Sequence, residues 1–179
     1  MVKMQYSQSK KIYSGRVIEL TVDTVILPNQ QTVELEIIHH PGGAAIVAIN
    51  NHNQVCLIKQ YRYVVQDWLW ELPAGKIEHQ EDPMQTAKRE LKEEAGVTAN
   101  DWQSLGSYIS SPGVFSEVVH LYLANDIRCG ELQHEHDEVI EVHWVDLEQA
   151  RKMALDNTIS DGKSALTILR ACDRLDKIT

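Results

Sequence analysis

Alternation of apolar and polar residues dominates the first half of the chain. Residues 14–27 (SGRVIELTVDTVIL) alternate and are rich in β-branched side chains, which predicts a strand. Pro28-Asn29-Gln30 is a turn, and residues 32–39 (TVELEIIH) alternate again until His40-Pro41-Gly42-Gly43 stops them. AAIVAI (44–49) and VCLIKQY (55–61) flank Asn50-Asn51-His52-Asn53, a hairpin pattern. WLWEL (68–72) is a further short apolar run, ended by Pro73-Ala74-Gly75. The period then lengthens. Asp82 suits an N-cap, Pro83 the first helical position and Gln85 a capping box, while Met84, Ala87 and Leu91 share one face and Gly96 sits where a C-terminal glycine belongs. These signals predict a helix over 83–95. Strands follow near 103–109, 118–124 and 139–145. Two more helices are expected, over 147–155, with Asp146 as cap and Gln149 three residues on, and over 162–176. Strands, one helix, strands and two helices make a mixed α/β domain with helices packed on a sheet. Residues 1–40 read as a strand-rich arm and residues 41–179 as the main domain.

Composition narrows the function. The 179 residues are 43% hydrophobic and 24% charged, as in a soluble domain large enough to bury one core. Against 26 Asp+Glu there are 17 Lys+Arg, a net charge of -9, which excludes a general nucleic-acid binder because that role needs a basic surface. A phosphate-bearing ligand remains open if a metal cation or a local arginine offsets the acidic field. No apolar run approaches the roughly 20 residues that span a bilayer, and Met1 to Lys11 is too polar for a signal peptide, so no membrane partner is expected. Cys56, Cys129 and Cys172 are widely spaced and form no CxxC pair, which points to free thiols and a cytoplasmic protein.

The helix from Pro83 carries the chemistry. Glu90 and Glu94 are i, i+4 neighbours and Glu93 lies between them, with Arg89 adjacent. Like charges at that spacing destabilise a bare helix by roughly 0.2–0.5 kcal/mol per pair, and they crowd toward the C-terminal half, where the dipole disfavours anions. A solvated acidic face is the plain reading. A hard divalent cation is the alternative, since Mg²⁺ prefers carboxylate oxygens and keeps water and substrate phosphates as its other ligands. The Gly-containing loop ahead of the helix and Arg89 beside Glu90 favour a metal–phosphate site.

Gly75, Glu81, Arg89-Glu90-Leu91, Glu93-Glu94 and Gly96-Val97 together match the Nudix box, and the chain is identified on them as resembling the Nudix hydrolases. KQYR (59–62), ELPAGKIE (71–78), SSPG (110–113) and ISDGKSAL (159–166) resemble the branch that contains ADP-ribose pyrophosphatases, and Pro112, sixteen residues after Gly96, resembles that branch's marker proline. The resemblance implies an α/β/α sandwich with a mixed sheet and an N-terminal dimerisation arm, hence a homodimer. It implies an enzyme, a Nudix pyrophosphatase hydrolysing ADP-ribose or a related nucleoside diphosphate sugar to a nucleoside monophosphate and a sugar phosphate. The cofactor implied is Mg²⁺, with Mn²⁺ as an alternative.

Residue by residue, Glu90 and Glu94 match the family's metal ligands, Glu93 a further carboxylate for metal or water, and the Ala74 carbonyl a loop ligand. Arg89 matches the arginine that orients the box glutamates, while Glu81 and Gly75 match a loop brace and a tight backbone turn. In the acidic stretch 130–141, Glu138 matches a carboxylate serving as metal ligand or general base, with Glu135 as runner-up. His134 and His136 read as surface histidines rather than a metal pair. Arg62 matches a phosphate contact, Glu117 a residue near the terminal sugar, and Ser111, Pro112 and Gly113 the loop lining that pocket. Trp68 and Trp70 share a strand face and suit packing better than stacking on a base. The sequence departs from its relatives at Leu35, before Glu36, where many carry an arginine that reaches the nucleotide. That departure favours a broader substrate range. The rival readings are a hydrolase specific for GDP-mannose or another nucleotide sugar, and a non-catalytic sensing domain. The intact Glu90, Glu93 and Glu94, and the little chain left for an effector before Thr179, argue against the second.

Overall fold

The computed structural model describes residues 6–130 and 139–177. They fall into two compact units. One holds the residues up to Gly42 together with Ile109–Val118, and the other holds Gly43–Tyr108 with the chain from Val119 onward.

The first unit is an antiparallel sheet of β1 (Tyr6–Ser14), β2 (Glu19–Ile26) and β3 (Thr32–His39), in that order. β1 is absent from the sequence expectation, which began a strand at residue 14. Its residues (YSQSKKIYS) lack apolar alternation, and pairing to β2, from Tyr6↔Val25 to Ser14↔Glu19, is what extends it. The buried face of β2 is Thr21, Asp23 and Val25. Its polar members are paired, Thr21 Oγ1 with His39 Nε2 at 3.0 Å and Asp23 Oδ1 with the Ser9 hydroxyl. Segment 109–118 joins this unit on β3. The Ile38 amide donates to Val114 O at 2.7 Å, and the Ser116 amide donates to Ile38 O at 2.9 Å.

The second unit is layered. β4 (Gly43–Ala48) lies in a mixed sheet of order β7-β4-β9-β8, antiparallel to β7 (Ala74–Lys76) and parallel to β9 (Val118–Cys129), with β8 (Val97–Ile109) outermost. A second, antiparallel sheet places β5 (Gln54–Arg62) between β10 (Ile140–Asp146) and β6 (Asp67–Glu71). Every residue of β4 is buried, because both its faces are covered. Ala44, Ile46 and Ala48 pack with Ala87, Leu91 and Ala95 of α1 (Pro83–Ala95). Val47 packs on the opposite face with Leu72, Leu123 and Ile168, the last from α3 (Gly162–Asp176), and with Ala150 and Met153 of α2 (Leu147–Leu155). Helices on both faces of a mixed sheet give the α/β/α sandwich.

Helix boundaries follow the local signals. Asp82 accepts the Met84 amide, and Gly96 closes α1 at φ 64°, the left-handed conformation that glycine adopts without strain. Asp146 accepts the amides of Glu148 and Gln149. Ala74 and Gly75, read as part of the loop Pro73-Ala74-Gly75, belong instead to β7 with Lys76, held by pairing to β4 rather than by any periodicity of their own. Trp70 packs against the core edge-on to His143, with ring centroids 4.9 Å apart, and Trp68 stands beside Tyr61 at 6.0 Å. No helix among the described residues is long and apolar enough to cross a membrane.

Candidate active site

The face of α1 that meets the sheet carries carboxylates among its apolar residues. Glu90 and Glu94 are 8% and 3% exposed, a position that charged groups occupy only with partners. Their counterpart is the backbone of β7. The Ala74 amide donates to Glu94 Oε2 at 2.8 Å. A Cβ on Gly75 would fall 1.9 Å from Glu90 Oε1, so Gly75 is the residue that lets the Glu90 carboxylate press on the strand. The expected tight turn is therefore not its role. Gly75 sits in a paired strand outside the left-handed region, and glycine is required there for space.

Arg89 organises the rest. Its Nε and Nη2 fork onto Glu81 at 3.0 Å each, Nη1 donates to Glu90 Oε1 at 2.7 Å and to Glu93 Oε2 at 3.0 Å, and Nη2 also donates to Lys76 O at 3.1 Å. One guanidinium thus ties α1 to the segment that enters it and holds two box glutamates side by side. The Arg89 hydrogen bonds, strengthened by the Glu78 and Thr86 contacts, pull the Glu81 carboxyl down to about 2, and the three carboxylates raise the Arg89 pKa further.

Two buried carboxylates against a strand backbone suit a hard divalent cation, which takes few protein carboxylates and completes its shell with water and phosphate. No three Asp, Glu, His or Cys side chains among the described residues converge as a ready-made metal cluster. Arg89 lies between Glu90 and Glu93, and Glu94 turns one oxygen to the Ala74 amide, so the donor set fits a cation whose remaining ligands are water and substrate. Beside it, a cavity of 560 Å³ runs along the exposed flank of α1, lined by Lys88, Arg89, Lys92 and Glu93 and by Trp102 of β8.

Arg62, the expected phosphate contact, is at the end of β5. Its Nε and Nη2 donate to Glu71 Oε1 and Oε2 at 2.7 and 2.8 Å. Two of its donors therefore serve the fold. Ser111, Pro112, Gly113 and Glu117 lie in segment 109–118 of the first unit, where Glu117 Oε1 stands 3.3 Å from His40 Nδ1 and the Ser116 hydroxyl accepts the His40 amide. Glu135 and Glu138, with His134 and His136, lie outside the described residues. The residues that sequence reasoning missed are Glu71, Asp161, Lys163 and Ser164. Two of the motifs quoted for the resemblance contain them, yet nothing in their spacing announces that they meet.

The chain is similar to known proteins along most of its length. The NUDIX domain model matches residues 39–165. An ADP-ribose pyrophosphatase of Bacillus subtilis is 38% identical over 161 residues, covering 89% of this chain and 87% of that protein. A methanol dehydrogenase activator of Bacillus methanolicus is 38% identical over 163 residues, 90% of this chain and 88% of its own. A GDP-mannose pyrophosphatase of Klebsiella pneumoniae is 31% identical over 145 residues, 74% and 72%. The crystal structure of an ADP compounds hydrolase superimposes with a TM-score of 0.83 over 98% of this chain and 95% of that one, at 19% identity, a likeness of fold.

Proposed function

The chain belongs to the Nudix family, and we propose that it hydrolyses the pyrophosphate of ADP-ribose or a related nucleoside diphosphate sugar, giving a nucleoside monophosphate and a sugar phosphate. The observation that carries this reading is the meeting of buried Glu90 and Glu94 with the backbone of Ala74 and Gly75, in a chain similar to ADP-ribose pyrophosphatases along most of its length. Glu90, Glu94 and the Ala74 carbonyl would hold Mg²⁺, or Mn²⁺ in its place. When bound, the ion offsets charge developing on the pyrophosphate and lowers the pKa of an attacking water.

The chain's own residues do the rest. Arg89 keeps Glu90 and Glu93 apart from each other's charge and fixes their rotamers. Glu93 positions water or a second ion. Glu138, with Glu135 as runner-up, accepts the water's proton on a carboxylate oxygen. Arg62 keeps donors beyond the two given to Glu71 for a substrate phosphate, and Ser111, Pro112, Gly113 and Glu117 take the sugar side. The arm's exposed Ile12, Tyr13, Val17 and Leu35 support a homodimer. The free thiols Cys56, Cys129 and Cys172 support a cytoplasmic setting.

The test is phosphate release, after a coupled phosphatase, from ADP-ribose, ADP-glucose, GDP-mannose, UDP-glucose and NADH, each with Mg²⁺ and with EDTA. Mg²⁺-dependent turnover led by ADP-ribose is the expected result. Comparable rates on several nucleotide sugars would place recognition on the pyrophosphate and sugar, consistent with Leu35, and a lead for GDP-mannose would favour the rival hydrolase. No turnover on any of them overturns the proposal. Glu138→Gln should lower kcat with little change in KM, as removal of a base does. Damage from Glu135→Gln instead would move that role.

A further inference from the structure

The motif ISDGKSAL has no part in the reaction described so far, yet it meets the residues that lead into β7. Glu71 is 1% exposed, and both of its oxygens already accept from the Arg62 fork. Lys163 nevertheless donates to Glu71 Oε2 as well, and to Asp161 Oδ2 at 2.8 Å. A carboxylate satisfied by a bidentate arginine does not need a second cation for hydrogen bonding. What Lys163 adds is a link between the first turn of α3 and the end of β6. A second link lies beside it. β6 pairing ends at Glu71, which leaves the Leu72 amide without a ladder partner, and that amide donates to the buried Ser164 hydroxyl at 2.7 Å. Ser164 in turn donates to Asp161, the N-cap of α3.

Two residues further on, the same backbone meets the box glutamates. Pro73 O accepts the Ile46 amide of β4 at 2.9 Å, the Ala74 amide donates to Glu94, and Gly75 lies under Glu90. We propose that Lys163, with Asp161 and Ser164, is a positioning group for the metal site: through Glu71 and Leu72 it sets where the backbone of Ala74 and Gly75 meets Glu90 and Glu94. The base of the anchor is rigid, because Ile168 and Ala171 of α3 are fully buried in the core and Thr167 Oγ1 donates to Lys163 O at 2.6 Å. Burial pushes the Glu71 carboxyl up and the Lys163 ammonium down. Their partners' charges outweigh it in both, so the anchor stays ionised. With Glu71 buried and Arg62, Lys163 and Asp161 partly exposed, this neutral set of two cations and two anions contributes little net stability, and location is what it supplies.

This rests on the pyrophosphatase reading, so the test reads metal binding separately from turnover. Free Mn²⁺ is titrated by EPR against the full-length wild type, Lys163→Met, Lys163→Arg and the Glu71→Gln/Lys163→Met double variant, with thermal unfolding of each. Outer-shell partners of metal ligands typically change affinity or activity by about 10–100-fold. Lys163→Met should weaken Mn²⁺ binding about tenfold and lower kcat at limiting Mg²⁺, with KM for ADP-ribose within about twofold. Lys163→Arg should recover most of that loss. The double variant removes a charge of each sign, so it should fold as the wild type does and keep the Mn²⁺ defect, which decides the matter should Lys163→Met fail to fold. Wild-type Mn²⁺ affinity in a folded Lys163→Met or double variant, or a defect confined to KM, overturns the positioning role. Absence of Mn²⁺ binding and turnover in the wild type overturns the pyrophosphatase reading instead.

Discussion

Two ion networks lie in the same unit of this molecule, and they differ in charge balance. Around Glu71, Arg62 and Lys163 face Glu71 and Asp161, two cations against two anions. Around Arg89, one guanidinium faces Glu81, Glu90 and Glu93, and the buried Glu94 lies beyond it. The first network is complete as it stands. The second carries an excess of negative charge held in place by arginine hydrogen bonds and by the β7 backbone. An arrangement selected for stability alone would not keep that excess, since like charges at helical spacing repel. A surplus of carboxylate charge suits a divalent cation, which would in turn offset a substrate phosphate, so on the proposed reading the imbalance belongs to the reacting site and the balance to its support.

This contrast gives opposite consequences for removing one carboxylate. Glu71→Gln takes the buried anion away from partly exposed Arg62 and Lys163 and should destabilise the fold by about 1.5–3 kcal/mol, the range for hydrogen bonds to charged groups, read as a lower urea midpoint. Glu94→Gln relieves repulsion, so it should leave the midpoint unchanged or higher while lowering kcat about 100-fold or more. Near-normal turnover with an unchanged Mg²⁺ requirement would break the assignment of the second network. Gly75→Ala forces a methyl into the Glu90 carboxylate. It should cost about 1–3 kcal/mol of stability through overpacking and raise the Mg²⁺ concentration needed for half-maximal rate. The smallest effect is at Glu81. In the folded protein Arg89 holds its carboxyl at about 2, against an ordinary value of 4.5. Its contribution to stability is therefore complete above about pH 4.5 and is lost as the pH falls toward 2. The gap in urea midpoint between wild type and Glu81→Gln should be steady near neutrality and close across that acid window. A gap that persists at pH 2 would show that packing, not the charge, is what Glu81 supplies.

How much of this was legible in the sequence depends on the range of the interactions involved. α1 was readable to the residue, because Asp82, Pro83 and Gly96 act on the backbone within one turn. The box glutamates were readable as a cluster for the same reason. β1 and β7 were not, since neither has a periodicity of its own and both exist by pairing with a neighbour. β9 runs on to Cys129 and β8 starts at Val97, both beyond the expected spans, where polar residues such as Asn100, Asp101, Asp126 and Arg128 carry no strand signal of their own. Gly75 was noticed for the wrong reason, a turn instead of a close approach, because the carboxylate that needs the space lies in the following helix. The fork of Arg62 on Glu71 joins two strands and has no local signal either.

By itself, then, the sequence determined the three helices and the caps of the first two, most of the strands, the mixed α/β class and the spacing that sets Glu90, Glu93 and Glu94 beside Arg89. These are consequences of contacts within a few residues of the chain. Only the tertiary structure decided that Gly75 lies under Glu90, that the Ala74 amide meets Glu94, and that Lys163 and Ser164 reach back 92 residues to Glu71 and Leu72. Those meetings depend on which faces of β4 the helices cover and on how β5 and β6 register. Such contacts join residues far apart in the chain, and no local pattern encodes a partner that only packing brings near.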